Sequence, residues 1–528
     1  MYDLLLRGGT VVDGSGAPGR RADVAVVGDR IAHVGAPGQV DAVRTIDVAG
    51  QVVAPGVIDI HSHSDFTLLE ERSARSIVRQ GVTTEVVGNC GQTYAPITER
   101  NRAAVAERSA GWQPGVAVTW SSVAEYLDAV RAGNGVNCYV LVGHGTLRGA
   151  VVGAEDRPAT AVETERMQAL LDESLQAGAR GMSTGLEFMP GRPATPDELA
   201  ALAEVVGRHG GLLATHVRNR DRRFVEAVDE MVDAGRHGRC RLQLSHLMVK
   251  PGHAPRAWET VVEHMERARG SGQDVAADMI PYDTGPGLVT GFLPGWALAG
   301  GSRATLARLR TPELYAQIRQ DYDRYWLFVA MGEWDRLTVA FTEAHPEWIG
   351  ERFDTLARRL GIEPIDLLLR LLSDEGEGLD RVTVNGRLFS EEHVRTCLTH
   401  PLFALSSDGF RGTRGGGRGE VANHPSCWGW VPKILGLYVR QEGELTLEDA
   451  IRKMTSYPAE RLGLSERGLV REGLYADLFV FDPATVGTGA SFATPAVPPT
   501  GIGHVFVNGT PVVEGGAPTG ALPGRVLS

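Results

Sequence analysis

The sequence predicts an α/β chain: a (β/α)8 TIM-like barrel joined to a small β-sandwich built from the N- and C-terminal segments. Three observations predict it. Short strand-like runs separated by Gly, Pro and Asp turns occupy residues 1–56 and recur in residues 459–528. Between them, in residues 57–458, apolar strands alternate with amphipathic helical stretches, the pattern of a parallel sheet with helices outside. The strands of that middle part number eight, as a closed barrel of this kind requires.

In chain order, the early pieces are Asp3 to Leu6, Asp23 to Val27, Arg30 to Val34 and Thr45 to Val48, and their style returns in Ala476 to Asp482 and His504 to Gly509. The barrel candidates are Val57 to Ile60, Thr83 to Val87, Asn137 to Val142, Gly181 to Ser183, Leu212 to Thr215, Arg241 to Leu244, Val275 to Asp278 and Phe403 to Leu405, with helical runs such as Ala161 to Ala177 and Pro196 to His209 between them. Residues 283–381 are too many for one crossover. Their helical pieces, Ser302 to Gln320, Glu351 to Leu360 and Pro364 to Glu375, read as an insert of the kind that covers a site. The glycine-rich run Gly409 to Gly419 lacks the strand and helix context of a phosphate loop and reads as a mobile cover.

Composition narrows the partners. The chain of 528 residues is 43% hydrophobic and 22% charged with a net charge of −12, which suits a globular enzyme and argues against a nucleic-acid or anionic-membrane surface. Five scattered cysteines suit reduced thiols and a cytoplasmic setting, the first residues lack the pattern of a signal peptide, and no apolar run reaches membrane-spanning length.

The chemistry concentrates where strands run out. His61 and His63 end the first barrel strand, and alternation puts both imidazoles on one face, the grip a divalent cation needs. Cys90, His216, His246 and Asp408 each close another apolar run directly. In a parallel barrel these ends converge on one face, so four histidines, a thiol and a carboxylate make a site for one or two zinc ions.

This order of residues, with Gly88-Asn89-Cys90-Gly91, Gly143-His144-Gly145 and Ser407-Asp408-Gly409, resembles the amidohydrolase superfamily and looks like its D-aminoacylase branch, N-acyl-D-amino-acid deacylases. The resemblance covers nearly the whole chain. It implies that Cys90, His216 and His246 hold the tighter zinc, that His61 and His63 form a second position, and that Asp408 is also a metal neighbour and the catalytic acid/base. His144 is either an oxyanion helper or a structural hydrogen-bonding group. The implied reaction is hydrolysis of the amide bond of N-acyl-D-amino acids or related acylated amines. The competing readings are a cyclic-amide hydrolase, against which the Cys90 setting counts, and a non-catalytic metal-binding barrel.

Two positions depart from the branch. Where it commonly has a lysine and a tyrosine, this chain has Met248 and Phe188, so a cation and a hydroxyl become apolar. Lys250, Tyr282 and Arg218 remain as substrate-binding candidates; Arg218, two residues after His216, faces either a substrate carboxylate or an internal salt bridge.

Overall fold

A computed structural model describes residues 1–322, 326–412 and 424–527. The eight apolar runs form parallel strands: β1 (Val57–Asp59), β2 (Val82–Val87), β3 (Asn137–Val140, resuming after Leu141 as Val142–Gly143), β4 (Gly181–Gly185), β5 (Leu212–His216), β6 (Arg241–Leu244), β7 (Val275–Met279) and β8 (Phe403–Leu405). The first part of β3 pairs with β2, and β2 with β1; its continuation heads a six-stranded sheet that runs in order to β8. Leu141 N–H donates to Val87 O and Arg180 N–H to Val140 O, so the ladder passes across the break.

These strands are Val-, Leu- and Ala-rich and buried on both faces, as parallel strands covered by helices must be. Alternate residues serve two separate apolar clusters. Ile58, Val86, Tyr139, Leu212, Ala214, Ala276 and Ala404 meet one another and Tyr457 and Leu462 from the helix Ser456–Leu462. Val57, Val87, Val140, Leu213, Val275 and Phe403 pack outward into the cluster that contains Leu171, Leu202 and Val261 of the flanking helices. Those helices start where sequence chemistry directs: Thr160 and Glu163 form a reciprocal capping box, and Pro196 stands at the first turn after the Thr195 cap.

The two ends of the chain share one nine-stranded sheet. Val52–Pro55 pairs in parallel with Tyr2–Val11 on one side and antiparallel with Leu478–Phe481 on the other. The sheet encloses its own cluster, which mixes Leu4, Val24 and Val53 with Leu478 and Phe506.

The insert is richer in strand than its sequence suggests. Thr284–Leu288, Thr383–Arg387 and Leu337–Phe341 form an antiparallel sheet in that order. The expected helix from Ser302 to Gln320 is two, Ser302–Leu309 and Pro312–Gln320, because Pro312 supplies no N–H and forces the preceding Thr311 into an extended conformation. Pro364–Glu375 is helical as expected. Of the glycine-rich run, residues 413–419 lie outside the described residues.

Candidate metal centre and active site

The chain leaves the parallel strands on one face, and there the strand ends deliver their polar groups. Cys90 Sγ lies 3.4 Å from His61 Nε2, 3.6 Å from His216 Nδ1 and 3.4 Å from His246 Nε2. A tetrahedral ion with metal–sulfur near 2.3 Å and metal–nitrogen near 2.05 Å holds neighbouring ligand atoms about 3.6 Å apart. The thiol and imidazoles therefore stand at the separation of a shared ion, and the donor set fits zinc. Asp408 completes a second group: its Oδ1 lies 3.4 Å from His61 Nε2 and 3.3 Å from His63 Nε2. His61 belongs to both groups.

The backbone is held out of its comfortable range to achieve this. Cys90, His246 and Asp408 have φ of 50°, 34° and 46°, left-handed values that cost a non-glycine residue roughly 1–3 kcal/mol each. Such a cost persists only where surroundings over-determine the conformation, and here the strand ends do so. Gly88 and Gly91, with φ of 84° and 75°, frame Cys90; a Cβ on Gly91 would lie 2.8 Å from Gly185 N.

Electrostatically the cluster is mutually supporting. Burial would raise the Cys90 thiol, but the His61 and His246 imidazoles bring it well below its ordinary value. Burial opposes charge on His63 too, yet the Asp408 carboxylate and Cys90 push it up to about 10. Asp408, against the desolvation that would raise it, is held below the usual carboxylate range by His246, His63 and His61.

Each of these groups is steadied from behind. The Asp278 carboxylate accepts from the His246 backbone N–H at 2.7 Å and stands 3.4 Å from His61 Nδ1. Glu187 Oε2 lies 2.7 Å from His216 Nε2, and the buried Lys250 ammonium donates to both its oxygens at 2.9 and 2.8 Å. Burial would raise the Glu187 carboxyl; Lys250 and His216 hold it down to about 2. Arg220 Nη1 reaches His246 Nδ1 at 3.0 Å and His246 O at 2.8 Å. Glu85 in β2 accepts from Ser62 and Ser64, which flank His63, and from Arg411, three residues beyond Asp408.

An open cavity leads to this cluster. Cys90, His63, His216, His246, Asp408 and Arg220 line its floor; the insert contributes Gly285 to Leu288, and the stretch just after it Thr383, Leu388 and Phe389. An aromatic ladder climbs one wall: His63 stacks on Phe66 at 5.5 Å between ring centres, Phe66 on Trp112 at 5.4 Å, and Trp112 meets Phe410 edge-on at 5.5 Å.

All six expected metal-site residues thus meet in one place, and Phe188 lines the cavity with its ring edge-on to His216. Of the other candidates, Arg218 and His144 take the internal pairings held open for them, and Lys250 and Tyr282 are corrected by geometry. Arg218 does not reach the cavity, because β5 ends at His216 and alternation ends with it; its guanidinium pairs with Glu230 and with Arg192 O and Ala194 O. Lys250 is turned into the Glu187 pair. Tyr282 lies behind the wall, its ring against His424 and the Lys433 ammonium. His144 is away from the cavity, with Nε2 at 2.7 Å from Glu198, which also binds Arg148. The residues the sequence reading missed are Asp278, Arg220, Glu85 and Arg411. The signal for the two acids was present: each is the lone carboxylate of a fully buried strand.

The sequence pattern of the Amidohydrolase family matches residues 44–302 and 337–513. D-aminoacylase of Alcaligenes xylosoxydans xylosoxydans is 35% identical over 530 residues, covering 100% of this chain and 98% of that protein. A solved D-aminoacylase with a binuclear metal centre, described as activated by one metal and attenuated by the second, superposes with a TM-score of 0.84 at 35% identity and 100% of both chains. The N-acyl-D-glutamate deacylase of Bordetella bronchiseptica, solved with zinc and a phosphonate mimic of the tetrahedral intermediate, gives a TM-score of 0.82 at 32% identity, covering 100% of this chain and 99% of that one. With the strand-end cluster in place and the match running through both halves of the chain, this protein belongs to the amidohydrolase family.

Proposed function

We propose that this protein is a zinc-dependent hydrolase that cleaves the amide bond of N-acyl-D-amino acids or related acylated amines. The observation that carries the reading is Cys90 Sγ set within 3.4 to 3.6 Å of three imidazole nitrogens, with Asp408 beside them at the cavity floor. Cys90, His216 and His246 would hold one zinc ion, and His61 and His63, on the Asp408 side, a second. Zinc bound there supplies a Lewis acid for the amide carbonyl and acidifies water. Asp408 receives the proton of the attacking water on its carboxylate and returns it to the amide nitrogen, which must leave as a neutral amine. Glu187 fixes the ring of His216 and Asp278 the backbone of His246, while Phe66, Trp112, Phe188 and Phe410 exclude bulk water and offer an apolar surface to the substrate.

The two parallel sheets are read as one closed eight-stranded barrel. Continuity across Leu141 supports this, as do the Asp408 N–H bond to His61 O, the His63 N–H bond to Gly409 O and the division of alternate side chains into an inner and an outer cluster. The terminal sheet, folded on its own cluster, is read as the sandwich beside it. Among the described residues no helix is long and apolar enough to cross a membrane, and all five cysteines are buried free thiols, which supports a cytoplasmic site of action on small molecules.

The test is hydrolysis by zinc-loaded protein of matched N-acetyl-D- and N-acetyl-L-amino acids, with metal content measured on the same sample. Turnover of the D series with at least one zinc per chain is expected. Zinc without turnover of either series would remove the reading.

A further inference from the structure

Arg220 is a buried charge whose compensation is incomplete. The residue is 4% exposed, lines the cavity beside the metal cluster, and makes no ion pair with a described carboxylate; its Nε has no hydrogen-bond partner. The nearby acid, Glu187, is committed to Lys250 and His216, and the neighbouring Asp221 accepts from the backbone of Arg222 and Leu327. The Lys250 N–H bond to Arg220 O fixes the backbone from which the guanidinium projects. A guanidinium removed from water without a carboxylate costs several kcal/mol, a cost that proteins rarely leave unmet.

Its present partner does not satisfy it either. Nη1 rests against His246 Nδ1 and His246 O. An imidazole that offers Nε2 to a metal carries its proton on Nδ1, so in the loaded protein Arg220 retains only the carbonyl bond. The rest of the fork is then available to the cavity.

Resting on the acylamino-acid reading above, we propose that Arg220 is the anchor for the substrate's α-carboxylate. The carboxylate carbon of an N-acyl amino acid lies three bonds from the acyl carbon that is attacked. Arg220 lies one imidazole ring from the metal-facing nitrogen of His246, so one small molecule can reach both. The carboxylate would be held from β5's exit, where a fork suits it better than a point charge.

The experiment compares an N-acyl-D-amino acid with its α-carboxamide, using zinc-loaded wild type, Arg220→Gln and Arg220→Lys, with zinc content and thermal midpoint recorded for each. The wild type is expected to favour the carboxylate. In Arg220→Gln the ratio of kcat/KM between the two substrates collapses by about 10- to 100-fold, the worth of a charge-assisted bond, with the change mainly in KM; Arg220→Lys recovers part of it. A ratio unchanged in Arg220→Gln while both substrates suffer alike would overturn the proposal and make Arg220 a support for His246 only. Should the wild type hydrolyse nothing, calorimetric binding of N-acetyl-D-amino acids to the same zinc-loaded proteins decides the point separately: binding lost in Arg220→Gln supports the anchor, and equal binding refutes it.

Discussion

Replacing Glu85 by Gln tests how the site is kept in register. Glu85 and Arg411 are both fully buried; Arg411 Nε donates to Glu85 Oε2 at 2.8 Å, and Nη2 stands 2.7 Å from the same oxygen. Burial would lower the guanidinium, and Glu85 instead raises it. Glu85→Gln therefore leaves a charged Arg411 with little beyond Glu71 O at 3.2 Å and a long contact to Cys138. Breaking a buried pair from one side costs about 3–5 kcal/mol, whereas replacing both members by neutral groups is often near neutral. The expected pattern is a large loss of stability in Glu85→Gln and in Arg411→Met, and a double variant far more stable than the sum of the two losses. Urea unfolding followed by tryptophan fluorescence measures this. Because Glu85 also accepts from Ser62 and Ser64, the same single variants should lose zinc to a competing chelator more readily. A loss under about 1 kcal/mol in Glu85→Gln, or strictly additive singles, would refute the reasoning.

Other outcomes follow from the same geometry. Asp408→Asn should keep zinc bound while kcat falls about 10²- to 10⁴-fold, read from turnover and metal analysis together. Cys90→Ser should weaken zinc binding at the position shared with His216 and His246 by an order of magnitude or more, measured by chelator competition, since the buried thiol meets all three imidazoles. Trp112→Ala should lower kcat/KM for substrates with aromatic acyl or side-chain groups about tenfold and spare N-acetylglycine, as expected for losing part of one apolar wall. Lys453 is buried with its ammonium donating to His400 O, and burial lowers it to about 8. The unfolded chain then holds more protons between pH 8 and the ordinary lysine value, so stability relative to Lys453→Met should rise with pH in that window, by about 1.4 kcal/mol per pH step at most.

Much of the site was legible because its ligands sit at strand ends, where an apolar run stops on a histidine, a cysteine or an aspartate. His61-x-His63 needs only the two-residue period of a strand to predict a shared face. The same period misled at Arg218, since the chain abandons the strand after His216 and Arg220, not Arg218, arrives at the cavity. Glu85 and Arg411 are 326 residues apart, and no local pattern marks them as a pair. The insert's strand Thr284–Leu288 was hidden by Gly285, Pro286 and Gly287, residues that depress strand propensity but are tolerated where an edge is paired on one side.

The nine-stranded sheet has a consequence for biosynthesis. Tyr2–Val11 leaves the ribosome long before Leu478 and Phe506, which complete the cluster it belongs to. At roughly 5–20 residues per second, the intervening stretch takes on the order of 25–100 s to translate. Through that interval Val52–Pro55 offers an unpaired backbone edge and its apolar side chains to any passing strand, while the metal-site strands emerge one after another. Yield of folded protein should therefore depend on elongation rate and on chaperones that shield this early sheet.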